Sequence, residues 1–175
     1  MWPTDAGRAA VSKQHPCSAR IAVTSNCNPD CPLCFADSGH QSHGFQWTLQ
    51  QVEFLLERYV AAEGDPEAVQ LSGGEPTIHP QILEFIALAQ AKGIRSVMLN
   101  TNGIRLARDR RFGEELAKLK PHLYFQFDGF ERETHLALRG KDLRADKQRG
   151  LDRAAELGLT VTLVAAIGQG VNEPE

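Results

Sequence analysis

The chain has no apolar run near the ~20 residues of a membrane span, so a spanning helix is excluded. Its first twenty residues, "MWPTDAGRAAVSKQHPCSAR", contain no continuous apolar h-region, which argues against a secretory signal and for a cytoplasmic protein. There is no basic block. The arginines are scattered and the net charge is −3, so the charge signature of a nucleic-acid-coating chain is missing. No fixed-period repeat, GxxxxGK[ST] loop, GxGxxG fingerprint or Ser-His-Asp pattern occurs, which removes the common nucleotide and hydrolase signatures. Cysteine is scarce too, with four residues in 175. What remains is an ordinary core: 42% apolar and 23% charged residues in a chain of one-domain length.

Three of the four cysteines crowd into "TSNCNPDCPLCFA", where Cys27, Cys31 and Cys34 stand in C-x3-C-x2-C spacing. In a reducing cytosol such a cluster reads as metal-binding or catalytic rather than as a disulfide frame. Pro29 and Pro32 lack backbone N–H groups and oppose a helix here, which leaves a loop able to bring three thiolates to one centre.

The surrounding pattern alternates strand and helix. "RIAVT" (20–24), "AVQLS" (68–72), "SVMLN" (96–100), "LYFQF" (123–127) and "LTVTLVAAI" (159–167) read as strands. Helices are expected after Thr48, whose capping box pairs it with Gln51 and whose stop is Gly64, and over 80–93, 111–119, 131–138 and 144–157. Single helical crossovers between strands imply a parallel α/β sheet. Polar or glycine-rich motifs follow each strand, and ligands sit at the carboxyl ends of strands in such sheets.

Two readings of the cysteines are open. With His40 as fourth ligand they form a Cys3His zinc site in an α/β binding module without catalysis. Alternatively they hold an iron–sulfur cluster with one iron left open, because a cubane normally takes four cysteines. Cys17 precedes the first strand and belongs at the opposite rim, since a five-residue strand separates its ends by ~17 Å. His15, His43, His79, His122 and His135 read as ordinary polar loop residues.

"CNPDCPLCF" followed by "SGGEP" after the second strand resembles the paired hallmarks of the radical S-adenosylmethionine (SAM) superfamily, from Arg20 onward. The resemblance implies an enzyme with a partial (β/α)6, TIM-like barrel. Five strands are visible here, so a truncated core over 20–175 is expected behind a leader at 1–19. It implies that Cys27, Cys31 and Cys34 hold a [4Fe–4S] cluster. SAM would take the open iron and be cleaved to a 5′-deoxyadenosyl radical that abstracts a substrate hydrogen. Cofactor-binding roles follow for Phe35, Gly73, Gly74, Glu75, Asn100, Asn102 and Asp128, with Glu75 accepting from the SAM ammonium. Gly73 and Gly74 would let backbone approach a ligand. Arg139 in "LRG" could approach a carboxylate bidentately, but reads first as a solvated arginine at a helix end. A small flavodoxin or ferredoxin is the implied electron donor. Phrases such as "LNTNGIRLARD" and "LRGKDLR" resemble a branch containing pterin C-methyltransferases and the archaeal tetraether lipid synthase, which implies C-methylation or C–C bond formation. An exposed fifth strand should make this chain poorly soluble.

Overall fold

The computed structural model describes residues 18–34, 36–39 and 44–173. Five strands form one sheet in the order β1-β2-β3-β4-β5, so spatial order equals chain order. They are β1 (Ser18–Thr24), β2 (Ala68–Gly73), β3 (Ser96–Thr101), β4 (His122–Gln126) and β5 (Val161–Val164), and every pair is parallel. The crossovers carry α1 (Leu49–Glu63), α2 (Ile82–Ala91), α3 (Ile104–Arg108), α4 (Arg110–Leu119), α5 (Arg132–Arg139) and α6 (Arg144–Glu156). A parallel pair cannot be joined by a tight hairpin, so each helix must cross over and pack back on the sheet. Among the described residues no helix is long and apolar enough to cross a membrane.

Period-2 alternation decides which face meets the helices. Val69, Leu71, Val97, Leu99 and Leu123 point into a core completed by Val52, Leu56, Phe85, Ile86, Phe112 and Leu116. Truncating a fully buried ring such as Phe85 costs about 3–5 kcal/mol. On the other face Gln70, Asn100, Tyr124 and Gln126 are half-buried. Polar groups there are kept for a cavity instead of a core.

The Thr48 capping box forms as expected: its side chain accepts from Gln51 N–H while the Gln51 side chain accepts from Thr48 N–H. Gly64 closes α1 at φ 75°. Four expectations need correcting. β1 begins at Ser18, two residues before the expected boundary, and Cys17 lies outside the described residues. A 3-10 turn over Pro76–Ile78 precedes α2, which starts at Ile82. Helix α3 was not expected. Asn102 starts it, its side-chain oxygen accepting from Ile104 N–H at 3.0 Å. β5 is four residues long rather than nine, because Ala166 N–H turns to the Asp128 carboxylate.

Candidate functional site

The cysteine loop leaves β1 at Thr24 and is pinned where it returns. Ser25 N–H donates to Phe45 C=O and Trp47 N–H to Val23 C=O, both at 3.0 Å. His79 holds that return point. It is buried, its Nε2 lies 2.9 Å from Trp47 C=O, and its Nδ1 accepts from Gln81 N–H at 3.0 Å. With Nδ1 accepting, Nε2 carries the proton and donates. His79 is thus a loop residue as expected, but a buried one.

The Gly-Gly exit of β2 lies directly against the start of the loop. Gly74 N–H donates to Thr24 C=O and Glu75 N–H to Asn26 C=O, both at 2.8 Å. A Cβ on Gly73 would sit 2.1 Å from Thr24 O, and one on Gly74 would sit 2.2 Å from Asn26 O. Gly73 also has φ 133°, which side chains disfavour. The backbone these glycines let in is that of the cysteine loop itself.

Glu75 is 1% exposed and hydrogen-bonded from four directions, so it is no solvated turn residue. Its Oε1 accepts from Thr77 N–H (3.0 Å), Thr77 Oγ1 (2.6 Å) and Thr101 Oγ1 (2.8 Å). Its Oε2 accepts from Asn102 N–H alone, at 2.6 Å. Burial raises its pKa against the pull of these donors. Asn102 extends the tie, its Nδ2 donating to Asn28 Oδ1 of the cysteine loop at 2.7 Å. Asn100 Oδ1 accepts from Gln70 Nε2 at 2.7 Å.

These segments enclose a cavity of about 160 Å³. Cys27, Cys31 and Cys34 line it, together with Gly73, Gly74, Glu75, Asn100 and Asn102. Eight of the expected site residues therefore meet at one place. Phe35 and His40 lie outside the described residues. Asp128 does not line the cavity. It sits behind Arg139, which does.

All three cysteines are free and partly buried. Burial pushes the Cys27 thiol up to about 12, and the negative charges of Glu75 and Cys31 push the same way. Among the described residues no group of three or more His, Cys, Asp or Glu side chains is close enough to hold a single ion. A cluster makes no such demand, because each thiolate binds its own iron.

Arg139 takes the carboxylate-binding alternative rather than the solvated one. Its side chain is 12% exposed, and it grips Asp128 with Nε at 2.7 Å and Nη2 at 2.6 Å. A helix end would leave an arginine in water, but the loop after β4 places a buried carboxylate against it. Burial pushes the Asp128 carboxyl up, yet Arg139, Ala166 N–H and the Lys147 charge hold it below the usual range. Gln126 Nε2 also donates to Asp128, and Asn172 Nδ2 donates to its main-chain oxygen at 2.6 Å.

Sequence reasoning missed Tyr124, Gln126 and Lys147. Tyr124 and Gln126 line the cavity. Their signal was the alternation with buried Leu123 and Phe125 in β4, which marks them as facing the other side. Lys147 is fully buried, its Nζ donating to Asn102 C=O at 2.6 Å and to Gln126 Oε1 at 2.8 Å. His135 is buried on α5 with Nε2 3.0 Å from Gly129 C=O, and His122 pairs with Thr162 Oγ1 at 2.8 Å from within β4. Neither is a loop residue.

A family model described as the Radical SAM superfamily matches residues 21–175. The 7,8-dihydro-6-hydroxymethylpterin dimethyltransferase of Methanocaldococcus jannaschii is 33% identical over 178 residues, covering 99% of this chain and 34% of that protein. A GTP 3′,8-cyclase of Stenotrophomonas maltophilia is 36% identical over 159 residues, covering 89% of this chain and 48% of the cyclase. The chain thus spans a third to a half of these curated relatives. Among solved structures, anSMEcpe with bound AdoMet aligns with TM-score 0.71 at 20% identity, covering 86% of this chain and 43% of that one. Streptococcus suis SuiB bound to S-adenosylmethionine aligns with TM-score 0.69 at 19% identity, covering 89% and 36%. At these identities the likeness is one of fold.

Proposed function

The chain belongs to the Radical SAM superfamily, and from that membership we propose that it is the core of an enzyme in which Cys27, Cys31 and Cys34 hold a [4Fe–4S] cluster and the adjoining cavity holds SAM. The observation that carries this reading is the convergence of three free thiols and the Gly73-Gly74-Glu75 backbone on one cavity. The donor set fits the group: three free thiols on one cavity match a cubane that keeps one iron open. A cluster held by these residues would supply one-electron reduction of SAM to the 5′-deoxyadenosyl radical.

The protein's own residues hold and orient. Gly73 and Gly74 fix the depth of the cysteine loop against β2 by backbone contact alone. Glu75 has one donor on Oε2 and therefore an acceptor site left for an ammonium group. Its other bonds lock it in place, so little ordering entropy is lost when a ligand arrives. Asn100 keeps its side-chain N–H groups for the cavity while its oxygen is engaged by Gln70. Asp128 acts at one remove, through Arg139.

We read residues 20–175 as the core domain and 1–19 as a leader. Resemblance to the pterin dimethyltransferase supports C-methylation, or C–C bond formation, as the net chemistry. A flavodoxin or ferredoxin would supply the electron, and the reducing cytoplasm suits three free thiols.

Anaerobic reconstitution with iron and sulfide tests the reading. The expected result is about four irons per chain, an EPR signal on reduction that changes when SAM is added, and formation of 5′-deoxyadenosine. Cys31→Ala should lose all three. A colourless protein carrying stoichiometric zinc would overturn the proposal in favour of a structural metal site.

A further inference from the structure

Gln126 lines the cavity from the end of β4, and its amide is gripped at both ends. Oε1 accepts from Lys147 Nζ at 2.8 Å, and Nε2 donates to the Asp128 carboxylate. A lysine nitrogen donates and a carboxylate accepts, so both partners demand the same sense of the amide. Flipped, the amide would set oxygen against oxygen at Asp128 and nitrogen against nitrogen at Lys147. Lys147 cannot turn away to allow that. It is fully buried and donates also to Asn102 C=O at 2.6 Å. Gly150, about one turn further along α6, lets the lysine come so close. A Cβ there would lie 3.0 Å from Gly103 O and 3.0 Å from the Phe125 ring, so any side chain would push the helix off the strand ends. An amide nitrogen carries two protons. Asp128 takes one from Gln126, and the other has no partner among the described residues. Asn102 differs, for its side chain is spent at both ends, on Asn28 and on Ile104 N–H.

We propose that Lys147 is a positioning residue for SAM that acts through Gln126, holding the amide in the sense that leaves one Nε2 proton for an oxygen of the ligand. The inference rests on the reading of the cavity given above. The physical reason is preorganisation. A loose amide can turn either its donor or its acceptor to a ligand, and ordering it costs free energy when the ligand arrives. An amide clamped between a donor and an acceptor has already met that cost and offers the donor. The carboxylate and ribose oxygens of SAM accept such a bond. Lys147 thus reaches the cavity in two ways. Its bond to Asn102 holds the loop after β3, and its bond to Gln126 sets which atom faces the ligand.

The test is a double-mutant cycle on the SAM affinity of the reconstituted protein, with Lys147→Met, Gln126→Leu and the two together. Each single change should weaken SAM binding about tenfold, the worth of one hydrogen bond. The double variant should bind no more weakly than either, because the lysine acts through the amide. Losses that multiply to about a hundredfold would overturn the proposal, since Lys147 would then act through Asn102 or through the packing of α6. Unchanged affinity in Lys147→Met would overturn it as well. If Lys147→Met fails to fold or to load, NMR of the unaltered, reconstituted and oxidised protein decides. The side-chain amide protons of Gln126, assigned by their loss in Gln126→Leu, should exchange with solvent at least about tenfold more slowly than those of free glutamine. Exchange at the free rate would refute the clamp. Failure of the unaltered protein to take up a cluster or to bind SAM would instead remove the proposed function, and this inference with it.

Discussion

Lys147 Nζ lies 2.6 Å from the main-chain oxygen of Asn102, joining α6 to the loop after β3 across 45 residues of sequence. A fully buried ammonium without a carboxylate in contact is costly to keep charged. Its two acceptors, Asn102 O and Gln126 Oε1, need only the two protons of a neutral amine.

The pH dependence of stability follows from that burial, which lowers Lys147 from 10.5 to about 8. Below pH 8 both folded and unfolded chains hold the proton, and this group contributes no slope. Between about 8 and 10.5 the unfolded chain binds more protons, so stability rises with pH. The gain is on the order of 3 kcal/mol across the window. Urea unfolding of the chain and of Lys147→Met at pH 7 to 10 should give curves that diverge above pH 8. Parallel curves would mean that the ammonium stays solvated.

Gly74→Ala should separate folding from metal loading. The new methyl would lie 2.2 Å from Asn26 O, a backbone atom that moves only with the cysteine loop. Overpacking of this kind costs about 1–3 kcal/mol. Circular dichroism should therefore report a folded protein with a lowered melting temperature, while iron per chain after reconstitution falls well below that of the parent.

Asp128→Ala should be among the most damaging single changes. It leaves Arg139 buried and unpaired, at a cost of about 3–5 kcal/mol. It also frees Ala166 N–H, so hydrogen exchange there should rise far more than at Leu99 or Leu123 in the centre of the sheet. Equal exchange at Ala166 in parent and variant would show that Asp128 does not hold the final segment.

The exposed strand predicts association. Among the described residues β5 pairs with β4 alone, and Leu163 and Ile167 are 55% and 68% exposed. Such an edge recruits other chains. Leu163→Lys should lower the concentration-dependent light scattering of the chain. If scattering stays the same, another surface is responsible.

What could be read from sequence was whatever depends on neighbours in the chain. The Thr48–Gln51 capping box, the glycine stop at Gly64 and the five strands are local patterns, and so is the C-x3-C-x2-C loop. The resemblance then supplied the meeting of Cys27 with Gly73, which no local pattern contains. The buried polar groups were not legible. Whether Arg139 is solvated depends on where the loop after β4 sends Asp128, and His79 is buried by an acceptor 32 residues away. Lys147 reads as a surface residue of a charged helix until Asn102 and Gln126 come round to meet it. Helix α3 is too short for a periodic signal, and Asn102 and Gly103 just before it look like a turn.

The closeness of Gly140 to Pro32, where an added Cβ would lie 3.2 Å from Pro32 Cδ, also sets a schedule. The cysteine loop leaves the ribosome about a hundred residues before α5 is made, and synthesis adds about 5–20 residues per second. For about 5–20 s every nascent chain presents its three thiols without Arg139, which completes their cavity.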